Sequence, residues 1–581
     1  MAYSRFQTLV SYLRPHWRTS AWGIFALLVV NGVGVYIPLL IRDGVDSLQT
    51  VTEFRPIALL ALSIFGLASV MWVIRMVSRI LLFGVGRQVE FDLKQRIFEH
   101  LLTLEPAYFS SNRIGDLINR ATSDLDNIRR LLGFAILSLA NTLFAYSLTL
   151  PVMLMINARL TLLSVAVYPL MLVLVKIFSG KLQNQQLDVQ ERLSNLSDLI
   201  QEDLSGISLI KIYAQEENER RAFANYNREL LDANLELAKT RNILFPLLGG
   251  LASLSLLILL AMGDGVIASG QLSIGDFVAL ILYVERLVFP TALLGFTITA
   301  YQRGEVSVDR IEAILRVKPA IQDHPHPLPL TIPIQGWLSA RDLSYTYPEA
   351  RTPTLKHLNF TIQPGETVAI VGPVGSGKST LANALPRLLD VDLDSIFLDG
   401  QDITQIRLAD LRGAIAYVPQ ESFLFSATIR ENIRYGNPFA EQTEIEIAAK
   451  TAQIHGEITT FPQNYDTIVG ERGITLSGGQ RQRTALARAL LVDAPVLILD
   501  DALSSVDNQT ATEILNNLRT GTQRKTVVFI SHQMSAAATA DRILVMNQGK
   551  IVQIGNHETL TRQPGLYQSL WNQHKLEEFL V

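Results

Sequence analysis

Six apolar runs, near 21–40, 57–85, 131–156, 160–178, 243–263 and 275–300, occupy the first half of this 581-residue chain. Each is long enough to cross a hydrocarbon layer of about 30 Å. Nothing else in the sequence restricts the backbone as strongly. Within lipid every peptide N–H and C=O must be bonded inside the segment, so uninterrupted runs of this length are expected to be helices. The last run is the weakest, apolar except for Glu285 and Arg286.

Lys and Arg in the connections set the expected orientation. Arg5, Arg14 and Arg18 precede the first run. The connection 86–130 carries Arg87, Lys94, Arg96, Arg113, Arg120, Arg129 and Arg130, and the region 176–241 carries nine more basic residues. The alternate connections near 41–56, 157–159 and 264–274 hold two, one and none. Both termini are therefore expected on the cytoplasmic side of the cell (inner) membrane. The arginines before Ala21–Leu40 resemble the head of a signal peptide, but no small-residue cleavage site follows, so the expectation is a retained first span. In residues 1–18, Phe6, Leu9, Val10 and Leu13 share one helical face, which suits a short helix lying in the membrane interface.

The two basic connections keep a helical apolar period, so the spans are expected to continue into the cytoplasm. They would turn at tips such as Tyr108–Asp116 and Ala214–Ala222. Charges inside spans are costly, which singles out Arg75, Arg79, Glu285 and Arg286. Lining a polar cavity, touching substrate, pairing across helices and snorkelling to an interface all stay open for them. Five prolines between Pro319 and Pro333 mark an extended connector. The expected division is a six-helix transmembrane domain over 1–318, a proline-rich linker over 319–335, and an α/β nucleotide-binding domain with a helical subdomain over 336–581.

In the second half, strands alternate with helices. The apolar strand Thr367–Val371 leads into Gly372, Pro373, Val374, Gly375, Ser376, Gly377, Lys378, Ser379 and Thr380. This fits G-x-x-x-x-G-K-[ST], whose backbone N–H groups surround phosphates while the lysine reaches the β/γ oxygens and the hydroxyl ligates Mg²⁺. ATP and Mg²⁺ are the expected cofactors. Asp500 ends the apolar strand Val496–Leu499, where it would hold Mg²⁺ through water. His532 follows a second such strand, Thr526–Ile530, and would face the ligand crevice. A net charge of −4 carries no nucleic-acid signature, and with no cysteine at all, thiol catalysis and disulfides are excluded.

With LSGGQ at Leu476–Gln480 following this loop, the chain resembles the ABC exporters that join six membrane helices and one nucleotide-binding domain in one polypeptide. The resemblance covers essentially the whole chain, with the motifs in family order. It implies that Tyr347 stacks on adenine and that Gln420 reaches Mg²⁺ and the attacking water. It implies that Gly470–Gly473 communicates with the intracellular loops, that Ser504–Asp507 crosses between the two ATP sites, and that His532 is a switch histidine. Ser477, Gly478, Gly479 and Gln480 would bind the γ-phosphate of an ATP held by a second half-transporter chain. Alternating access would follow, with amphipathic small molecules or membrane lipid as substrate and no nucleic-acid partner. An importer on the same fold, or an ATP-gated channel-like ATPase, has the same motifs.

One departure stands out. The residue after Asp500, usually a glutamate that polarises water, is Asp501. It is one methylene shorter, and a misplacement of about 1 Å can cost about 10²-fold in rate. The resemblance is to the subunit of heterodimeric exporters whose own site hydrolyses slowly. A heterodimer is the favoured expectation, and a homodimer that tolerates aspartate is the alternative.

Overall fold

The computed structural model describes residues 5–48, 54–348, 350–470, 473–520 and 524–580, with side chains except at 6, 54, 520 and 577–580. The chain divides into two compact units, Met1–Leu102 with Asn112–Val317, and Thr103–Ser111 with Lys318–Val581.

The first unit is helical. Among the described residues, five helical stretches are long and apolar enough to cross a membrane, namely Gln7–Ser47, Arg55–Thr103, Ile114–Ser205, Glu216–Ala268 and Ile274–Leu315. The third contains two of the six apolar runs, 131–156 and 160–178, and breaks between them at Asn157. That residue is extended, with φ −157° and ψ 107°. Its Oδ1 accepts from Leu160 N–H at 3.0 Å, so it acts as the N-cap of the returning helix. The helix Phe54–Thr103 has 50 residues and the helix Glu216–Ala268 has 53. At 1.5 Å per residue these run for about 75–80 Å, far beyond a bilayer core.

Both basic connections are thus helix, as their period requires, and both are interrupted by short helices, Pro106–Ser111 and Ile207–Ile212. The second tip lies earlier than the expected Ala214–Ala222. The chain turns at Gly206 and again at Tyr213–Gln215, and the next helix begins at Glu216. Glu216, Glu217 and Glu219 in its first turn favour a helix start there, because they face the positive end of the helix dipole. The N-terminal helix Arg5–Leu13 forms, but it is anchored to protein. Leu9 and Tyr12 are buried in a cluster with Leu93, Ile97, Val308 and Ile311, and Val10 is exposed. Tyr12 OH donates to Glu312 at 2.7 Å, and Arg5 pairs with Glu305 and Asp309.

The second unit is α/β. Its strands are β1 Leu338–Tyr345, β2 Leu355–Ile362, β3 Thr367–Val371, β4 Ile396–Leu398, β5 Gln401–Asp402, β6 Ile415–Val418, β7 Val496–Asp500, β8 Thr526–Ile530, β9 Arg542–Asn547 and β10 Lys550–Gly555. One sheet has the order β10-β9-β3-β8-β7-β6, parallel from β9 to β6, and an antiparallel sheet has the order β2-β1-β4-β5. Helices cover both faces of the parallel sheet, so β3, β7 and β8 read as continuous apolar runs. Val368, Ile370, Val496, Ile498, Val528 and Ile530 enter one core. The alternating Ala369, Val371, Leu497, Leu499, Val527 and Phe529 enter the other.

Candidate functional site

The parallel order gathers residues far apart in sequence. β3, β8 and β7 lie side by side with β6 next to β7, so the segments after all four emerge at one edge of the sheet. That edge is where ligands bind in open α/β folds. The loop Gly372–Gly377 leaves β3, Asp500 ends β7, His532 follows β8, and Gln420 follows β6.

The loop closes tightly. A Cβ on Gly372 would run into the main-chain O of Met546, and Gly377 adopts a left-handed φ of 98° that only glycine takes without strain. Pro373 is half-buried, while Val374 and Gly375 form the exposed apex. Ser376 is buried, and its Oγ has no hydrogen-bond partner. Lys378 Nζ folds back over the loop, donating to Gly372 O at 2.8 Å and Pro373 O at 2.9 Å. Burial lowers its pKa, while the nearby charges of Asp501 and Asp500 oppose that shift.

Ser379 Oγ donates to Asp500 Oδ1 at 2.9 Å. Tyr417 OH lies 3.2 Å from Asp500 Oδ2 and 2.8 Å from Asn383 Oδ1. A hydroxyl and a buried carboxylate at this spacing form a hard oxygen donor set of the kind Mg²⁺ takes beside phosphates. The unpartnered Ser376 hydroxyl and the glycine-only cradle likewise fit a phosphate chain. Burial pushes the Asp500 carboxyl up, against the hydrogen bonds from Ser379 and Tyr417. Asp501 is also pushed up by burial, with the His532 charge opposing it. Asp501 N–H donates to Ile530 O at 3.2 Å, which ties β7 to β8 at this point.

The other expected residues are placed as follows. Tyr347 is half-buried with its OH 3.3 Å from Thr380 Oγ1, and its ring meets Tyr345 edge-on at 5.1 Å. Gln420 and His532 are both exposed. Ser477 is the N-cap of the helix Gly478–Leu491 in a reciprocal capping box with Gln480. Gly478 and Gly479 lie against Ser505, where a Cβ on Gly479 would come within 2.7 Å of Ser505 O. Gln480 Nε2 donates to Glu457 at 2.8 Å. Among the described residues no hydrogen bond joins Ser477–Gln480 to Gly372–Thr380 of the same chain. Gly473 N–H donates to Gly470 O at 2.8 Å, whereas Glu471 and Arg472 of that segment lie outside the described residues.

Tyr417 and Gln482 escaped the sequence reading. Gln482 is buried, donates to Ser504 Oγ at 2.9 Å and accepts from Ser505 N–H at 2.8 Å, so it fixes the Ser504–Asp507 loop. For Tyr417 a usable signal existed, since it lies three residues before Gln420 on the strand beside β7.

In the helical unit, Arg75, Arg79, Glu285 and Arg286 form no ion pairs with one another among the described residues. Arg75 touches Met71 Sδ at 3.7 Å, and Arg286 bonds to Asn31. A cavity of about 1000 Å³ is lined by Asp126, Arg129, Arg130, Gln183, Phe296 and Arg303.

Comparison with known proteins agrees with this geometry. The family described as "ABC transporter transmembrane region" matches residues 21–291, and the family described as "ABC transporter" matches 355–504. The chain is 35% identical over 580 residues to the multidrug resistance-like ATP-binding protein MdlA of Escherichia coli, covering 99% of this chain and 97% of that one. It is 33% identical to the ATP-dependent lipid A-core flippase of Thiobacillus denitrificans, covering 97% of each. Among solved structures, a bacterial Atm1-family ABC exporter with ATP bound superimposes with a TM-score of 0.79 at 26% identity, covering 96% of this chain and 99% of that one.

Proposed function

Because the chain belongs to the ABC transporters, as an exporter-type half-transporter, we propose that it moves amphipathic small molecules or lipids out of the cytoplasm or inner leaflet by alternating access. It is a multi-pass membrane protein whose ATP hydrolysis is coupled to export. The substrate class follows the names of its relatives, a multidrug resistance-like protein and lipid A-core flippases. The domain division proposed is 1–318, 319–335 and 336–581, with both termini cytoplasmic, on the strength of the Lys and Arg asymmetry.

The observation that carries the reading is the contact of Ser379 with Asp500 beneath the Gly372–Gly377 loop. In the proposed roles, the loop N–H groups and Lys378 bind the phosphates, Tyr347 supports the base, and Ser379, Asp500 and Gln420 hold Mg²⁺. That ion supplies neutralisation of the phosphate charge. Asp501 orients water and accepts its proton, and His532 bears on the γ-phosphate side. The separation of Ser477–Gln480 from the chain's own loop supports its acting on nucleotide held by a second chain. ATP-dependent uptake of a fluorescent amphiphile into inside-out vesicles tests export. Intact ATPase activity without uptake would overturn it.

A heterodimer is the favoured assembly, with Asp501 in a slow site and the intact Ser477–Gln480 segment completing the partner's site. Asp501→Asn then changes total turnover little in the purified complex. In a homodimer Asp501 is the only carboxylate available at that position, and a general base is typically worth 10²–10⁴-fold. Near-total loss of steady-state ATPase activity in the Asp501→Asn complex would sink the heterodimer, and activity close to wild type would sink the homodimer.

A further inference from the structure

Glu285 and Arg286 are neighbours in the helix Ile274–Leu315, yet they meet different surroundings. The Arg286 guanidinium lies against the helix Trp17–Ser47, where Nη2 donates to Asn31 O at 3.1 Å and Asn31 Oδ1 at 3.3 Å. Asn31 Nδ2 donates in turn to Asn141 Oδ1 at 3.1 Å, on the helix Ile136–Val165. Gly34 makes room for this, since a Cβ there would run into the guanidinium. Arg286 is therefore committed to joining three helices. It is not the counter-charge of Glu285.

Glu285 is instead exposed and lines an open groove of about 580 Å³ between the helices Glu216–Ala268 and Ile274–Leu315. The exposed rings of Phe245 and Phe289, with Phe296, Leu248 and Val284, form much of the wall, and among the described residues Glu285 is the one ionisable residue lining it. No hydrogen bond or ion pair joins its carboxylate to another described residue. Ligand pockets for drug-sized molecules span roughly 300–1,000 Å³ and are mostly apolar with few polar groups. A carboxylate inside an apolar span is expensive without a partner. Aromatic rings attract cations through their negative faces.

We propose that this groove binds a lipophilic monocation, with its charge against Glu285 and its apolar body among Phe245, Phe289 and Phe296. Calling that ligand a transported substrate rests on the export reading. Binding itself does not. The Arg286 anchor explains how an acid and a base can be adjacent in sequence while only the acid faces the ligand.

The test uses the full-length protein in phosphatidylcholine nanodiscs without nucleotide, and two radiolabelled probes of matched shape, tetraphenylphosphonium and tetraphenylborate. Uptake by empty nanodiscs is subtracted. Wild type is expected to bind the phosphonium more tightly than the borate. Glu285→Gln is expected to weaken phosphonium binding about tenfold or more, as loss of an opposite charge a few ångströms away does, while borate binding is unchanged or improved. Glu285→Asp is expected to keep the preference for the cation. Equal affinity of wild type for both probes would overturn the site without any variant. Unchanged phosphonium affinity in a folded Glu285→Gln protein, checked by its melting temperature, would do so as well. Either result leaves the export reading standing. Conversely, phosphonium that binds but is not moved in ATP-driven vesicles would overturn export and leave the site standing.

Discussion

Asp501 sits at φ 50°, a left-handed conformation that aspartate and asparagine adopt more readily than most other side chains. Its backbone is held there by Ile530 O and by Ser504, whose Oγ donates to Asp501 O at 2.9 Å. Its neighbour Asp500 is almost fully buried, and burial raises the pKa of both carboxyls. For a group whose native pKa lies above its unfolded value, stability is fully present below the unfolded pKa. It is lost as pH rises through the native pKa. At neutral pH these two carboxylates therefore weigh against folding until a cation sits beside them. Asp500→Asn should raise the melting temperature measured without Mg²⁺ or nucleotide, while steady-state hydrolysis falls steeply. In a domain of this size, about 1 kcal/mol of relief moves the melting temperature by about 2–4 °C. A melting temperature at or below wild type would show that Asp500 is stabilising as it stands.

At the scale of elements, the helices Trp17–Ser47 and Ile274–Leu315 meet along small residues and polar side chains. Such contacts are what hold helices together where lipid removes the hydrophobic drive. Tyr283 OH donates to Val35 O at 2.6 Å one turn from Arg286. Gly275 N–H donates to Asp46 Oδ1 at 2.8 Å where the helix Ile274–Leu315 begins. Gly34→Ala tests this seam, because a methyl group at that position displaces Arg286 from Asn31. Hydrogen bonds from a charged donor are worth roughly 1.5–3 kcal/mol, so a lower melting temperature in detergent is expected. Hydrolysis by the α/β unit should survive. An unchanged melting curve would mean the guanidinium relocates at no cost.

For the whole molecule, Ser477 already spends its hydroxyl inside its own chain, accepting from Gln480 N–H at 3.2 Å as a helix cap. The backbone donors of the following helix start remain available to an anion, as helix N-termini generally are. Ser477→Arg puts a bulky side chain where the second chain's γ-phosphate is proposed to lie. It should impair hydrolysis at the partner's site while nucleotide photolabelling at this chain's own loop persists. Full ATPase activity in the assembled complex would sink the trans arrangement. Loss of labelling at the chain's own loop would point to misfolding of the helical subdomain instead.

The spans, the Gly372–Thr380 loop, Asp500 and the break near 157–159 were all legible in the sequence. Each depends on residues adjacent in the chain, where apolar length, glycine placement or a capping side chain decides the local backbone. Parallel strand order then brings distant segments to one edge, and that part is not local. Tyr417 was missed because its contact with Asp500 exists only when β6 lies beside β7. Gln482 was missed because a buried glutamine on a helix face looks, in sequence, like any polar residue of an amphipathic turn. The same limit applied to Glu285 and Arg286. The sequence by itself marked two charges in an apolar run, whose cost is a property of composition. Only the tertiary structure separated them, because successive residues on a helix point about 100° apart. What each then meets depends on which other helix packs there: Arg286 meets Asn31 of the helix Trp17–Ser47 across a glycine gap, and Glu285 meets a mostly apolar groove that the helix Glu216–Ala268 closes on one side.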